Sequence, residues 1–175
     1  MILGLLKSIS KELESRNIPY MLSGSIALNN YCVPRMTVDI DIVIELYEEK
    51  LSEFLSIFDE NFYYNAETVK SETKKHGIFN IIDHETGFKI DFILRKESDY
   101  RQLEFLRRTK VKIEDIEVWI VTPEDLVISK IDWIQHFQSE KQITDIKNLL
   151  AISGIEKKYI LDWCQKLSLN TFNLI

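Results

Sequence analysis

In Val38-Asp39-Ile40-Asp41-Ile42-Val43-Ile44, two carboxylates alternate with branched aliphatic side chains. A strand sends alternate side chains to opposite faces, so Asp39 and Asp41 would stand side by side. Val38, Ile40, Ile42 and Ile44 would face a core. Two like unit charges ~4 Å apart repel by ~4 kcal/mol at an effective dielectric near ~20. Asn, Thr or Lys would provide polar surface without that cost, and Asp is a poor strand residue. A third acid, Asp91, lies in the similar run Phe88-Lys89-Ile90-Asp91-Phe92-Ile93-Leu94, where Phe88, Ile90, Phe92 and Leu94 form the expected core face. Asp91 and Lys89 then lie opposite them. Gathered carboxylates are commonly stabilised by a divalent cation, and oxygen-only donors favour Mg2+ or Mn2+ over zinc. The competing reading is an amphipathic strand whose acids simply face water.

Gly24-Ser25 supplies a second chemical element. Glycine lets a backbone approach a ligand closely, and a helix starting just after it offers unpaired amides to phosphate oxygens. Ser25 adds a hydroxyl. The same pair also suits an ordinary capped turn. Other chemistries are excluded by what is missing. Gly24-Ser25-Ile26 lacks the Gly-x-Ser-x-Gly elbow of serine hydrolases, and no Gly-Lys-Ser/Thr phosphate loop is present. His76, His84 and His136 do not fall at metal-ligand spacing.

The elements that must position these residues follow from apolar period. Ile2, Leu5, Leu6, Ile9 and Leu13 predict a helix ending before Asn17 and Pro19, followed by a short strand at Tyr20-Met21-Leu22. Residues 26–32 read as a short helix ending before Pro34. Leu51, Phe54, Leu55, Phe58 and Phe62 return to helical spacing. The runs 78–82 and 88–94 flank a turn at 83–87, and 117–121 reads as another strand. Thr122-Pro123-Glu124-Asp125 is a helix start, with a capping hydroxyl, a first-turn proline and two acids at the positive helix end. Two further helices follow, the first closed by Gly154. The expected class is α/β (α+β), a mixed twisted sheet with flanking helices. Residues 1–121 would form the core and 122–175 a helical segment packed on it.

The chain has 175 residues, 22 basic and 28 acidic, for a net charge of −6. That size suits one domain with a substantial core. Net acidity argues against general binding of nucleic acid, where affinity comes mainly from Lys and Arg. No apolar run reaches the ~20 residues of a membrane span, and Met1–Leu6 does not resemble a leader. Two cysteines, Cys32 and Cys164, exclude a disulfide framework and a cysteine-rich zinc site. A cytoplasmic location is expected. Residues 95–112 run against the overall charge, with seven basic and three acidic side chains. A solvated face is the preferred reading of that segment. The alternative is a rim beside Asp91 that attracts an anionic acceptor, with Tyr100 or Phe105 stacking on a base.

Taken together, Leu22-Ser23-Gly24-Ser25, Arg35-x-Thr37-x-Asp39-x-Asp41 and the later Asp91 resemble the nucleotidyltransferase superfamily that includes DNA polymerase beta. The resemblance covers residues 20–94. A looser likeness, through Thr122-Pro123-Glu124-Asp125-Leu126, Ser129-Lys130 and Asp145-Ile146, is to the small bacterial AbiEii-like nucleotidyltransferases of abortive infection. The chain departs from that group at Ser139-Glu140-Lys141-Gln142, where a richer basic patch is common.

The resemblance implies a minimal nucleotidyltransferase fold and a set of roles. Asp39, Asp41 and Asp91 would be the catalytic, metal-holding acids, for Mg2+ or Mn2+. Gly24, Ser25, Arg35, Lys130 and Asp145 would form the nucleotide site. Gly24 and Ser25 would hold the β and γ phosphates, Lys130 would touch the triphosphate, and Asp145 would orient it or Lys130. Arg35 could contact a phosphate or be a solvated loop residue. The reaction would move a nucleoside monophosphate from an NTP to a hydroxyl acceptor, a small molecule, tRNA or protein, with release of pyrophosphate. A toxin-like role with an antitoxin partner is one variant. Two rivals stand beside it: a catalytically silent nucleotide-binding module, and an interaction protein in which the acids only solubilise a strand.

Overall fold

A computed structural model describes residues 2–175, and in it the two alternating runs become neighbouring strands. In chain order the elements are α1 (Ile2–Ser15), β1 (Tyr20–Leu22), α2 (Gly24–Tyr31), β2 (Asp39–Ile44), α3 (Leu51–Leu55), β3 (Phe62–Tyr63), α4 (Ala66–Lys75), β4 (Ile78–Asp83) and β5 (Lys89–Leu94). Then come α5 (Asp99–Arg107), β6 (Thr109–Ile113), β7 (Ile116–Ile120), α6 (Pro123–Ile134), α7 (Glu140–Leu150) and α8 (Lys157–Lys166). One seven-stranded sheet runs in the order β3-β4-β5-β2-β1-β7-β6. β2 pairs parallel with β5, and β1 parallel with β7, while the remaining neighbours are antiparallel.

A parallel pair needs a crossover, and the chain between β2 and β5 supplies it as α3, β3, α4 and β4. The register of β2 on β5 pairs Asp39 with Lys89, Asp41 with Asp91 and Ile40 with Ile90. Both strands therefore alternate in phase. Ile40, Ile42, Ile44, Ile90, Phe92 and Leu94 point to the core, and the charged residues share the other face. Phe54 on α3 is fully buried and meets Phe58, Phe79 and Phe92 edge-on, with ring centroids 5.3, 5.8 and 5.0 Å away. Edge-to-face packing of this kind adds to the area buried.

Several expectations are corrected. Val38 is 56% exposed and lies just before β2, not in its core face. Phe88 likewise precedes β5 and is half-buried. Phe62 belongs to β3, because the helix started at Leu51 stops at Leu55. α2 begins at Gly24, two residues earlier than its apolar pattern suggests. α4 has no counterpart in the sequence reading: it buries only Val69 and Thr73, too few for an apolar stripe, and is announced by its cap, Asn65, which accepts from the Thr68 amide.

The basic segment 95–112 is not a rim beside Asp91 and is a solvated face only at Lys96, Lys110 and Lys112, its four arginines being partly buried. It folds into α5 and β6, and Tyr100 and Phe105 are buried, so neither can stack on a base. Arg101 bonds Glu104, Ser129 and Asp132 at 2.9, 2.7 and 2.7 Å. Arg107 donates to buried Asp125 at 2.9 Å, and that acid also accepts from Tyr159 at 2.8 Å and Thr122 at 2.7 Å. These bonds tie α5, α6 and α8 together. Arg95 leaves β5 four residues beyond Asp91, about 13 Å along the strand. No helix among the described residues is long and apolar enough to cross a membrane.

Replacing Phe54 by Ala would leave a cavity among three rings. The expected cost is about 3–5 kcal/mol, read as a lower urea midpoint with an unchanged denaturant slope.

Candidate active site

The site begins at the junction of β1, α2 and β2. The Ser23 amide donates to the Asp41 carbonyl at 2.9 Å, which lays the β1–α2 corner on β2. Gly24 makes that corner with φ of 57°, a left-handed conformation that costs a side chain roughly 1–2 kcal/mol. Space is a second reason for glycine. A Cβ at position 24 would lie 1.8 Å from Asp41 Oδ2 and 2.5 Å from its Cγ. The corner is thus pressed directly onto the carboxylate.

Asp41 and Asp91 are register partners on adjacent strands, and Asp39 sits two residues before Asp41 on the same face. Burial, then the neighbouring charge of Asp91, raises the Asp41 pKa, while the Ser25 backbone amide and Lys130 pull it down. Asp39 and Asp91 are more open, their side chains 44% and 19% exposed. A cation already stands between them. Lys89 Nζ is 2.8 Å from Asp91 Oδ2 and 3.8 Å from Asp39 Oδ1. Its own pKa is raised, first by the Asp91 hydrogen bond, so it is charged at neutral pH.

A second cluster joins the distant helices to this corner. Asp145 on α7 is buried and takes both arms of Arg35, Nε at 3.1 Å and Nη2 at 2.8 Å. The same Nη2 donates to Ser25 Oγ at 2.9 Å. Asn29 on α2 clamps the Arg35 backbone from both sides, at 2.8 and 3.0 Å. Lys130 on α6 donates to Asp145 Oδ2 and Gln142 Oε1, each at 2.9 Å. Burial lowers the Lys130 pKa, against the pull of Asp145. Burial alone would raise Asp145, but its bonds from Arg35 and Lys130 hold it below the ordinary carboxylate range.

The structure brings all eight residues singled out in the sequence into two touching clusters. Gly24, Ser25, Asp39, Asp41 and Asp91 form one, and Arg35, Lys130 and Asp145 the other. Ser25 and the charge of Lys130 connect them. Arg35 is not a solvated loop residue, since its guanidinium fork is taken by Asp145 and Ser25. Strand alternation placed Lys89 on the acid face, two residues before Asp91, but gave it no part in the site. Three participants were missed. Gln142 lies three before Asp145 on one helix face, and Ser139, in the stretch that departs from the AbiEii-like pattern, caps that helix by accepting from the Gln142 amide at 3.2 Å. Asn29 left no signal in the sequence.

Among the described residues, no three His, Cys, Asp or Glu side chains converge on one metal position. The donors still suit a hard divalent cation. They are carboxylate oxygens only, they share one face, and Gly24 leaves the Asp41 oxygen uncovered by any Cβ. Asp91 is instead drawn to Lys89.

No sequence-family model matches the chain, and no curated protein sequence does. Solved structures do match. The antibiotic-resistance factor ANT(2'')-Ia superposes with a TM-score of 0.64 at 13% identity, covering 94% of this chain and 90% of that one. The same protein in complex with adenylyl-2''-tobramycin gives 0.62 at 14% identity, covering 94% and 95%. The lincosamide antibiotic adenylyltransferase LnuA, bound to lincomycin, gives 0.52 at 16% identity, covering 87% and 94%. The chain has the nucleotidyltransferase fold.

Two predictions follow from the geometry of the two clusters. Gly24→Ala should lower stability in urea unfolding by more than the about 1–2 kcal/mol of its left-handed backbone, and the excess, though not that conformational part, should vanish in an Asp41→Gly background, because the clash is with that side chain. Asp145, with its depressed native pKa, contributes stability that is complete above its unfolded pKa near ~3.9. That contribution disappears as pH falls through the lower native value. Asp145→Asn should therefore flatten the acid limb of the stability–pH curve while lowering stability at neutral pH.

Proposed function

We propose that this chain is a divalent-cation-dependent nucleotidyltransferase that moves a nucleoside monophosphate from an NTP to a hydroxyl of a small acceptor. The observation that carries the reading is the register of β2 on β5, which sets Asp41 beside Asp91 with Asp39 on the same face, under a glycine corner. Three acids crowded on one sheet face, one of them desolvated, have a high free energy that a bound cation relieves. The fold shared with ANT(2'')-Ia and LnuA supports the same class of reaction.

In this reading Asp39, Asp41 and Asp91 hold Mg2+ or Mn2+. A cation held there would supply positive charge against that developing on the leaving pyrophosphate. Gly24 offers its amide and Ser25 its hydroxyl, at the start of α2, to the β and γ phosphates. An ammonium has three donors; Asp145 and Gln142 take two from Lys130, leaving the third for the triphosphate. Asp145 keeps both Lys130 and Arg35 in place. The acceptor hydroxyl attacks the α phosphorus, the α–β phosphoric anhydride bond breaks, and Asp91 takes the hydroxyl proton.

A small acceptor fits better than tRNA. Arg95, Arg101, Arg107 and Lys110 of the basic segment are spent on ion pairs within the chain, and the net charge is −6. In the similar structures, ANT(2'')-Ia is seen with adenylyl-2''-tobramycin and LnuA with lincomycin. The second reading, a nucleotide-binding module without turnover, is favoured by one observation: the Lys89 ammonium seated between Asp91 and Asp39.

The test is incubation with α-labelled NTPs, Mg2+ and a panel of hydroxylated small molecules. Asp41→Asn relieves repulsion and should stay folded, yet transfer should fall at least about 100-fold. Equal labelling by both proteins refutes the assignment, and tight nucleotide binding by the wild type without transfer to any acceptor favours the silent module.

A further inference from the structure

We propose that Lys89 is a resident counter-cation that occupies the carboxylate face until a nucleotide arrives with its metal, so that metal and nucleotide bind together and metal alone binds weakly. This rests on the reading of the site as a metal-dependent nucleotidyltransferase.

The placement of Lys89 is set by the sheet. Its register partner across the parallel pair is Asp39, and it shares a face with Asp91 two residues on. Its ammonium lies 2.8 Å from one acid and 3.8 Å from the other. Those are two of the three oxygen donors a divalent cation would use. Asp41, the half-buried acid beneath the glycine corner, has no bond to Lys89 and is held instead by the Ser25 amide. A cation entering alone must share Asp39 and Asp91 with a positive charge only a few Å away. A nucleoside triphosphate changes that balance, because its phosphates offer the ammonium a new anionic partner. The Lys89 side chain is 40% exposed, and its flexible four-carbon stem can swing towards them. Each ligand then raises the affinity for the other by the same factor.

The experiment is calorimetry of Mn2+ binding, with and without the α,β-methylene analogue of ATP, to wild type, Lys89→Met, Lys89→Arg and Asp41→Asn. Lys89→Met should bind Mn2+ alone about tenfold more tightly than wild type. The enhancement of Mn2+ binding by the analogue should shrink in the same variant, while Lys89→Arg, which keeps the charge, should behave as wild type. A lysine that only braces the strands would lower the melting temperature on substitution and leave Mn2+ affinity unchanged. Equal Mn2+ affinity in wild type and Lys89→Met, with binding abolished in Asp41→Asn, overturns the role of Lys89 and leaves the metal site standing. Equal binding by wild type and Asp41→Asn overturns both.

Discussion

Like-charge crowding on one face of two parallel strands is the constraint on which the site depends. Pairing Asp41 with Asp91, and Asp39 with Lys89, follows from a single register. A shift of one residue would turn these charges into the core and the aliphatic row into water. The register is therefore held by the apolar face, where Ile40, Ile42, Ile44, Ile90, Phe92 and Leu94 are buried, and the acids accept its consequences. Their repulsion is offset locally by the Lys89 ammonium on the open side, the Ser25 amide at the helix start and the charge of Lys130 behind. Glycine at position 24 completes the arrangement, since the corner could not otherwise come so near to Asp41.

Asp145 plays a corresponding part for the helical half. It lies 110 residues from Arg35 in sequence, yet the two meet through a two-point fork. Lys130 meets the same carboxylate from α6. Removing one partner from a buried ion pair is far more damaging than its net worth suggests, because the other charge is left without water or partner. The α5–α6–α8 junction uses the same device around Asp125, with Arg107, Thr122 and Tyr159. Both junctions fasten the later helices, one of them at the site and the other away from it.

Strand alternation made much of this legible. Two in-phase runs, 38–44 and 88–94, announced strands with acids on one side. The helix start at Thr122 was readable because its capping hydroxyl, proline and acids are local signals, and the structure has Thr122 accepting from the Asp125 amide. α4 was not readable: its surface is polar nearly all round and its stability comes from its cap and neighbours. Val38 and Phe88 were misassigned because each stands one step outside its strand, where alternation continues in the letters and a carbonyl still accepts from a neighbouring amide, but the side chain is no longer fully covered by the core. The basic segment misled for a different reason. Charge along a sequence says nothing of its partners, and Glu45, Glu104, Asp125 and Asp132, which neutralise it, come mostly from other elements.

By itself the sequence determined which side chains can share a face, since that depends only on the two-residue period of a strand and the near-four-residue period of a helix. It also determined where glycine permits a sharp corner. Tertiary structure alone decided that Asp41 faces Asp91, that Lys89 sits between Asp91 and Asp39, and that Asp145 joins Arg35 to Lys130. Those are matters of register and of long-range closure. They are settled by how the apolar faces pack, and no local run of residues carries that information.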